Sequence, residues 1–347
     1  MRHSCRALRA TVSVAALLTI STNASLAASE VNIYSYRQPF LIEPLLEAFQ
    51  KETGIRANLI FAKQGLETRI EAEGENSPAD LLLSTDVGRL EAAKQQGIAQ
   101  PVASDILKAN IPARYRDADN QWFGLTTRAR VVYASKERVK QDSITYEDLA
   151  DPKWKGRICT RSGQHDYTIG LIASMIVHHG EEETRAWLEG LKANLARRPT
   201  SNDRAQVKAV YAGECDLALG NTYYMGQMQT NDKEPEQKEW AASVRILFPN
   251  TDGRGTHVNI SGMLLVKHAP NRDNAIKLME FLSSAEAQQI YAEGNFEYPV
   301  LDGVEPSAIV KSWGSFKPDS VALGEIADAR KKASELVDIV DFDAGAN

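Results

Sequence analysis

The sequence predicts an α/β protein of two lobes, on three observations. Short apolar strands alternate with amphipathic helical stretches along the whole chain. Its 347 residues exceed one ordinary domain and suit two. No Pro/Gly/Ser-rich linker, internal repeat or low-complexity stretch divides it. The chain is therefore expected to cross between lobes more than once, through strands rather than a tether. The expected division is residues 28–125 with 250–301 in one lobe, and 126–249 with 302–347 in the other.

Residues 1–27 stand apart from that fold. Arg2, Arg6 and Arg9 precede a short apolar run, Val12 to Ile20, and Ser25-Leu26-Ala27 offers small residues for cleavage. This pattern is a secretory signal peptide cut after Ala27. The apolar run is too short to span a bilayer. Cleavage leaves 37 basic against 46 acidic residues, a net charge of about −9. Such a surface argues against nucleic acid or an anionic membrane as partner. It also removes Cys5 and leaves Cys159 and Cys215. In an oxidising compartment an even pair reads as a disulfide. Two buried free thiols are the alternative.

The elements follow in order. Val31 to Tyr34 is a short strand. Ile42, Leu45, Leu46 and Phe49 recur at helical spacing, with Pro44 near the start and Gly54 as the stop. Ile55, Ala57, Leu59 and Phe61 alternate as in a strand. Asp80 to Ser84 is a buried strand, and 86–96 a helix ended by Gly97. Ala129 to Ser135 and Arg157 to Arg161 are strands. A loop, 162–166, leads into Tyr167 and a helix marked by Ile169, Ile172, Ala173 and Ile176. Asn202 caps a helix running to Gly213. Cys215 to Leu219 is a strand, and Gly220-Asn221-Thr222 turns into Tyr223 and Tyr224. Gly262 to Lys267 is a strand. A helix with Ala275, Leu278, Met279 and Leu282 on one face follows, and a last helix covers 320–337.

Both sets of tyrosines thus lie beyond the carboxyl end of a strand, where open α/β sheets place ligands. A free phenol has a pKa near 10. A hard trivalent cation can displace that proton at neutral pH. Three phenolates would cancel the charge of Fe³⁺, and phenolate oxygen is a hard donor that suits a hard ion. A Tyr-Tyr pair after a strand is more often simple packing, and His178-His179 near a helix end more often solvated surface. An anion that completes a ferric site needs a cation. Arg128 and Arg130 alternate in TTRARVV and point the same way, to a cleft or to a surface; Arg161 and Arg204 are weaker candidates.

With those residues in view, the chain resembles the periplasmic ferric-binding proteins of bacterial iron ABC importers. The similar stretches run through the mature chain in order: VNIYSYR (31–37), NSPADLLLSTDVGRLEAA (76–93), LTTRARVVYAS (125–135), DPKWKGRICTRSG (151–163), SNDRAQVKAVYAGECDLALGNTYYMG (201–226), GTHVNISGMLLVKHAPN (255–271) and NFEYPV (295–300). GNTYY and the SPAD stretch are the most specific. The resemblance implies a two-lobed periplasmic binding protein fold, with crossing hinge strands and a ligand cleft between lobes. It implies Tyr167, Tyr223 and Tyr224 as ferric ligands, and Arg128 as the holder of a synergistic anion such as carbonate. It matches Cys159 and Cys215 to a disulfide found in part of the family. Many members carry His-Tyr after the first strand, where this chain has Gln38-Pro39, so the expected substitute on that side is Tyr36, water or an anion.

The expected function is capture of ferric iron in the periplasm by a monomer and delivery to an inner-membrane ABC permease. A second expectation keeps the fold and changes the solute to a polyamine, phosphonate, thiamine or sugar. An enzyme is a distant third, since the chain shows no GxSxG, HExxH, P-loop or Rossmann glycine pattern.

Overall fold

The computed structural model of the protein describes Met1 and residues 29–346. The leader, apart from Met1, lies outside the described residues, as does Asn347. Among the described residues ten strands are formed: β1 (Glu30–Ser35), β2 (Arg56–Phe61), β3 (Leu81–Ser84), β4 (Ala99–Gln100), β5 (Phe123–Ser135), β6 (Ile158–Cys159), β7 (Leu217–Asn221), β8 (Val244–Leu247), β9 (Val258–Val266) and β10 (Tyr298–Pro299).

β1 pairs in parallel with β2 and β3, because a helix at Pro39–Thr53 makes the first crossover. That helix forms where Pro39 sets its first turn and Gly54, at φ 72°, ends it. Its Ile42, Leu45, Leu46 and Phe49 face the core. β3 then pairs antiparallel with β9, and β9 with the first half of β5. From Arg130 onward β5 exchanges partners, pairing antiparallel with β7 and, from Val132, with β8. β6 lies parallel to β7. One 13-residue strand thus passes from one set of pairings into the other, the expected two-lobed α/β plan. Gly262 sits where a Cβ would meet the Phe123 carbonyl oxygen at 2.6 Å, so only glycine lets β9 approach β5 there.

Two buried clusters pack around these strands, and the larger spans both sets of pairings. The larger gathers residues such as Ile33, Phe49, Leu82, Leu264 and Ile172. The smaller fills the other face of β5 and β7 with Val131, Tyr133, Val207, Ala218 and Met225.

Several boundaries differ from the sequence reading. β5 begins six residues before Ala129. The stretch Phe123–Arg128 looks too polar for a buried strand, but Thr126 hydrogen-bonds the Glu297 carboxylate inside the protein. β7 starts at Leu217, since Asp216 turns outward to pair with Arg138 and Arg157. The expected turn at Gly220-Asn221 is strand, opposite Val131 and Arg130. The helix containing Tyr167 runs from Asp166 to Ala193, with a kink at Gly180 (φ 82°). The last helix is two, Leu323–Asp328 and Arg330–Val340.

Two clamps fix the strands that carry the tyrosines. Cys159 of β6 and Cys215, just before β7, form the disulfide. Asp203, the first residue of the helix Asp203–Tyr211, is fully buried. Its Oδ2 accepts from Arg130 Nη1 (2.7 Å) and from the Asn221 backbone N–H (2.9 Å). Its Oδ1 accepts from Arg161 Nη1 (3.1 Å). Asn202 caps that helix as expected, accepting from the Ala205 N–H at 3.1 Å.

Replacing both Cys159 and Cys215 by Ser should lower unfolding free energy by roughly 4 kcal/mol, the loop-entropy value for a sequence separation of 56. The urea midpoint reads this directly. Asp203→Asn should cost about 3–5 kcal/mol in the same assay, because two buried guanidiniums then lose their carboxylate. A change below 1 kcal/mol would remove Asp203 from this role.

Candidate metal centre

The parallel pairing of β6 and β7 sends the chain out at one sheet edge twice. After β6 it reaches Tyr167, the second residue of the helix Asp166–Ala193. The His165 imidazole caps that helix, its Nδ1 accepting from the Tyr167 N–H at 3.2 Å. After β7 a single residue, Thr222, precedes the helix Tyr223–Gln229. The backbone N–H of Thr222 donates to the Ala129 carbonyl of β5 at 3.1 Å. Gly220 is required just before, since a Cβ there would overlap the Tyr133 ring.

The three tyrosines meet. The Tyr223 hydroxyl lies 3.1 Å from the Tyr167 hydroxyl, and the rings of Tyr223 and Tyr224 are 4.3 Å apart between centroids. All three line one cavity of about 190 Å³, partly exposed. Burial pushes the Tyr224 phenol up to about 12, helped by Tyr167 and Asp203. Burial, then Tyr167 and Tyr224, also raises Tyr223 above its ordinary value. Without a metal, Tyr223 and Tyr224 are phenols at neutral pH. A metal must displace their protons.

Arg128, 1% exposed, forms part of the same wall. Its Nη1 donates one long bond, 3.4 Å, to Ser261 Oγ; Nε and Nη2 have no partner among the described residues. Arg130 points to the same face but is spent on Asp203 and on Asn221 Oδ1 (3.2 Å). Arg161 is likewise held by Asp203. Arg204 lines the cavity, bonded to Gln227 Oε1 at 3.3 Å.

Tyr36 lines the cavity from the opposite side. Its hydroxyl donates to the Glu67 carboxylate and accepts from the Leu66 N–H at 2.7 Å. Burial and Glu67 push its pKa up to about 12. The Arg89 guanidinium lies over its ring, 4.2 Å from the centroid, and reaches across to Asp166 Oδ2 at 2.9 Å. Gln38 and Phe40 also border the cavity. His178 and His179 are engaged elsewhere, with Asp319 (2.7 Å) and Glu147 (2.8 Å).

Sequence reasoning missed the buried Arg37–Glu297 ion pair on the cavity wall, at 2.9 Å. Its partners are 260 positions apart, and no local pattern signals it. Among the described residues no group of three His, Cys, Asp or Glu side chains could hold a metal ion. Among the same residues no helix is long and apolar enough to cross a membrane.

Residues 76–312 match the family of bacterial extracellular solute-binding proteins. Iron uptake protein A1 of Synechocystis sp. is 48% identical over 310 residues, covering 89% of this chain and 86% of that protein. Apo ferric ion-binding protein A of Pasteurella haemolytica has 53% identity and a TM-score of 0.86, over 91% of this chain and 99% of that one. The Trichodesmium protein IdiA (FutA), in complex with iron and citrate ligands, has 44% identity and a TM-score of 0.87, over 90% and 100% of the two chains. With its matched span, its lobes and its tyrosine-lined cleft, this chain belongs to the bacterial extracellular solute-binding protein family.

Proposed function

We propose that the protein captures ferric iron in the periplasm and delivers it to an inner-membrane ABC permease, without catalysis. The observation that carries this reading is the meeting of Tyr167, Tyr223 and Tyr224 in one cleft, with the Tyr167 and Tyr223 hydroxyls 3.1 Å apart. Three phenolates balance the charge of the ion. The relatives named for iron uptake and ferric-ion binding support the same cargo.

Arg128 is the proposed seat of an anion bound with the iron. Its unpartnered N–H groups supply the donors, and a cavity of about 190 Å³ holds more than a bare ion. Carbonate and citrate both fit that chemistry. Tyr36 is the proposed ligand from the far side, reaching the metal once its hydroxyl leaves Glu67. Residues 28–125 with 250–301 and 126–249 with 302–347 are the proposed lobes, closing on the cargo by bending at the shared strands.

Ferric iron added to the purified protein should produce a visible phenolate-to-iron charge-transfer band. The Tyr223→Phe/Tyr224→Phe double variant should lack the band while keeping the wild-type fold by circular dichroism. A band of full intensity in that variant overturns the assignment. Arg128→Gln should weaken iron binding roughly 10- to 100-fold when bicarbonate or citrate is present, and much less when both are absent.

Iron affinity should also fall on acidification. The folded-state pKa values of Tyr223 and Tyr224 are raised, so their protons are bound across the neutral range and each is released on metal binding. The apparent association constant should rise by about a hundredfold per pH unit from these two phenols, in a chelator competition corrected for iron hydrolysis. A pH-independent constant would exclude phenolate ligation.

A further inference from the structure

The charges beneath the tyrosines do not balance. Arg128, Arg130 and Arg161 are all buried, and one carboxylate, Asp203, serves two of them. Arg128 reaches Glu297 only through Ser261, and Glu297 is already paired with Arg37. The nearby acids Asp86 and Asp166 are matched by Arg330 and Arg89. An excess of two positive charges is therefore held out of water, an arrangement that is costly unless a counter-charge joins it.

The hydrogen-bonding is equally one-sided. Nε and Nη2 of both Arg128 and Arg130, and Nδ2 of Asn221, are buried donors without a partner among the described residues. The amide oxygens beside them each already accept at least one hydrogen bond. Asn221 Oδ1 accepts from Arg130, and Asn259 Oδ1 accepts from the Val87 and Ile260 N–H groups. Between these side chains lies a second cavity of about 10 Å³, lined by Arg128, Arg130, Tyr167, Asn221, His257 and Asn259. That is room for one particle near the size of a water molecule. Arg128 and Tyr167 border both cavities; the other four border only the inner one.

We propose that this inner cavity binds a single monatomic anion of chloride's class, distinct from the anion on the cleft side of Arg128. A water molecule carries no charge to set against the guanidiniums. A halide accepts from every donor and offsets the guanidinium excess. Carbonate, phosphate and citrate exceed the space. The proposal stands on the arginine count and on the unpartnered donors of Arg130 and Asn221, which border the inner cavity and not the cleft.

The test uses the iron-free protein. Crystals grown in sodium bromide should show one anomalous peak inside the ring formed by Arg128, Arg130 and Asn221. At constant ionic strength, exchanging a bulky organic anion for bromide should raise Tm by about 2 °C per tenfold excess of halide over its dissociation constant. Asn221→Asp supplies a fixed negative charge. It should remove the halide dependence and be the more stable protein in halide-free buffer. A cavity holding water alone overturns the proposal. So does a bromide peak with no effect on Tm, which would mark an adventitious ion only. Should the variant fail to fold, diffraction and melting of the unmodified protein still decide the matter.

Discussion

A buried carboxylate holds the ligand-bearing edge together. Asp203 binds Arg130 of β5, Arg161 after β6 and the Asn221 N–H at the end of β7. Those three attachments come from the three stretches of chain that lead to Arg128, Tyr167 and Tyr223. A neutral residue could fill the volume but could not hold two guanidiniums out of water. The position of Asp203 follows from its place in a helix. Asn202 caps that helix, so Asp203 enters its first turn with its side chain toward the strand ends. The disulfide between Cys159 and Cys215 draws the same two strands together by covalent means. With one clamp ionic and one covalent, the hydroxyls of Tyr167 and Tyr223 are held at 3.1 Å before any ligand arrives. That pre-organisation lowers the ordering cost of binding.

The electrostatics of the cleft suit a cargo that is held firmly and given up. Arg128 and Arg161 lie 5.8 and 5.3 Å from the Tyr167 ring centre, and Arg204 lies 5.6 Å from that of Tyr224. These cations favour phenolates, yet burial outweighs them and keeps the Tyr223 and Tyr224 phenols protonated. Tyr223 and Tyr224 therefore bring no standing negative charge to the cleft to attract stray divalent ions. His165 adds none of the imidazolium charge its position suggests, since burial and Arg161 push it down to about 4. Ionisation waits for a cation strong enough to displace protons. That requirement is itself a filter for small, highly charged metals.

Much of this was legible in the sequence. The spacing of strand, turn and tyrosine at 157–167 and 215–224 located the cleft edge, and Asn202, Gly54 and the cysteine pair did what their chemistry suggested. Less legible were features that depend on distant partners. Alternation placed Arg128 and Arg130 on one face, but only the fold shows that Asp203 takes Arg130 and leaves Arg128 without a carboxylate. The start of β5 was hidden because Thr126 looks solvated until Glu297 is brought to it from 171 positions away. Tyr36 was readable as a phenol near the cleft. Its engagement with Glu67 was not, for that contact forms only when the helix Leu66–Glu73 packs beside β1.

Tyr36 also shows why the two sides of the cavity are unequal. The Tyr167 and Tyr223 hydroxyls contact each other, whereas the Tyr36 hydroxyl already has an anionic acceptor and a backbone donor. Drawing Tyr36 to a metal would mean breaking both, so under the proposed ligation Tyr167, Tyr223 and Tyr224 would engage first. Three phenolates would satisfy the charge of the ion but not its appetite for oxygen. Of the groups that could supply more, Tyr36 is already engaged, and the Arg128 cation favours an anion over a fourth phenol. Arg89 ties these alternatives together, stacking on Tyr36 and pairing with Asp166 beside Tyr167. A movement that frees Tyr36 from Glu67 therefore disturbs a cation anchored to the helix that carries Tyr167. Recruitment of the far-side ligand and the geometry of the near-side ones are thus mechanically linked.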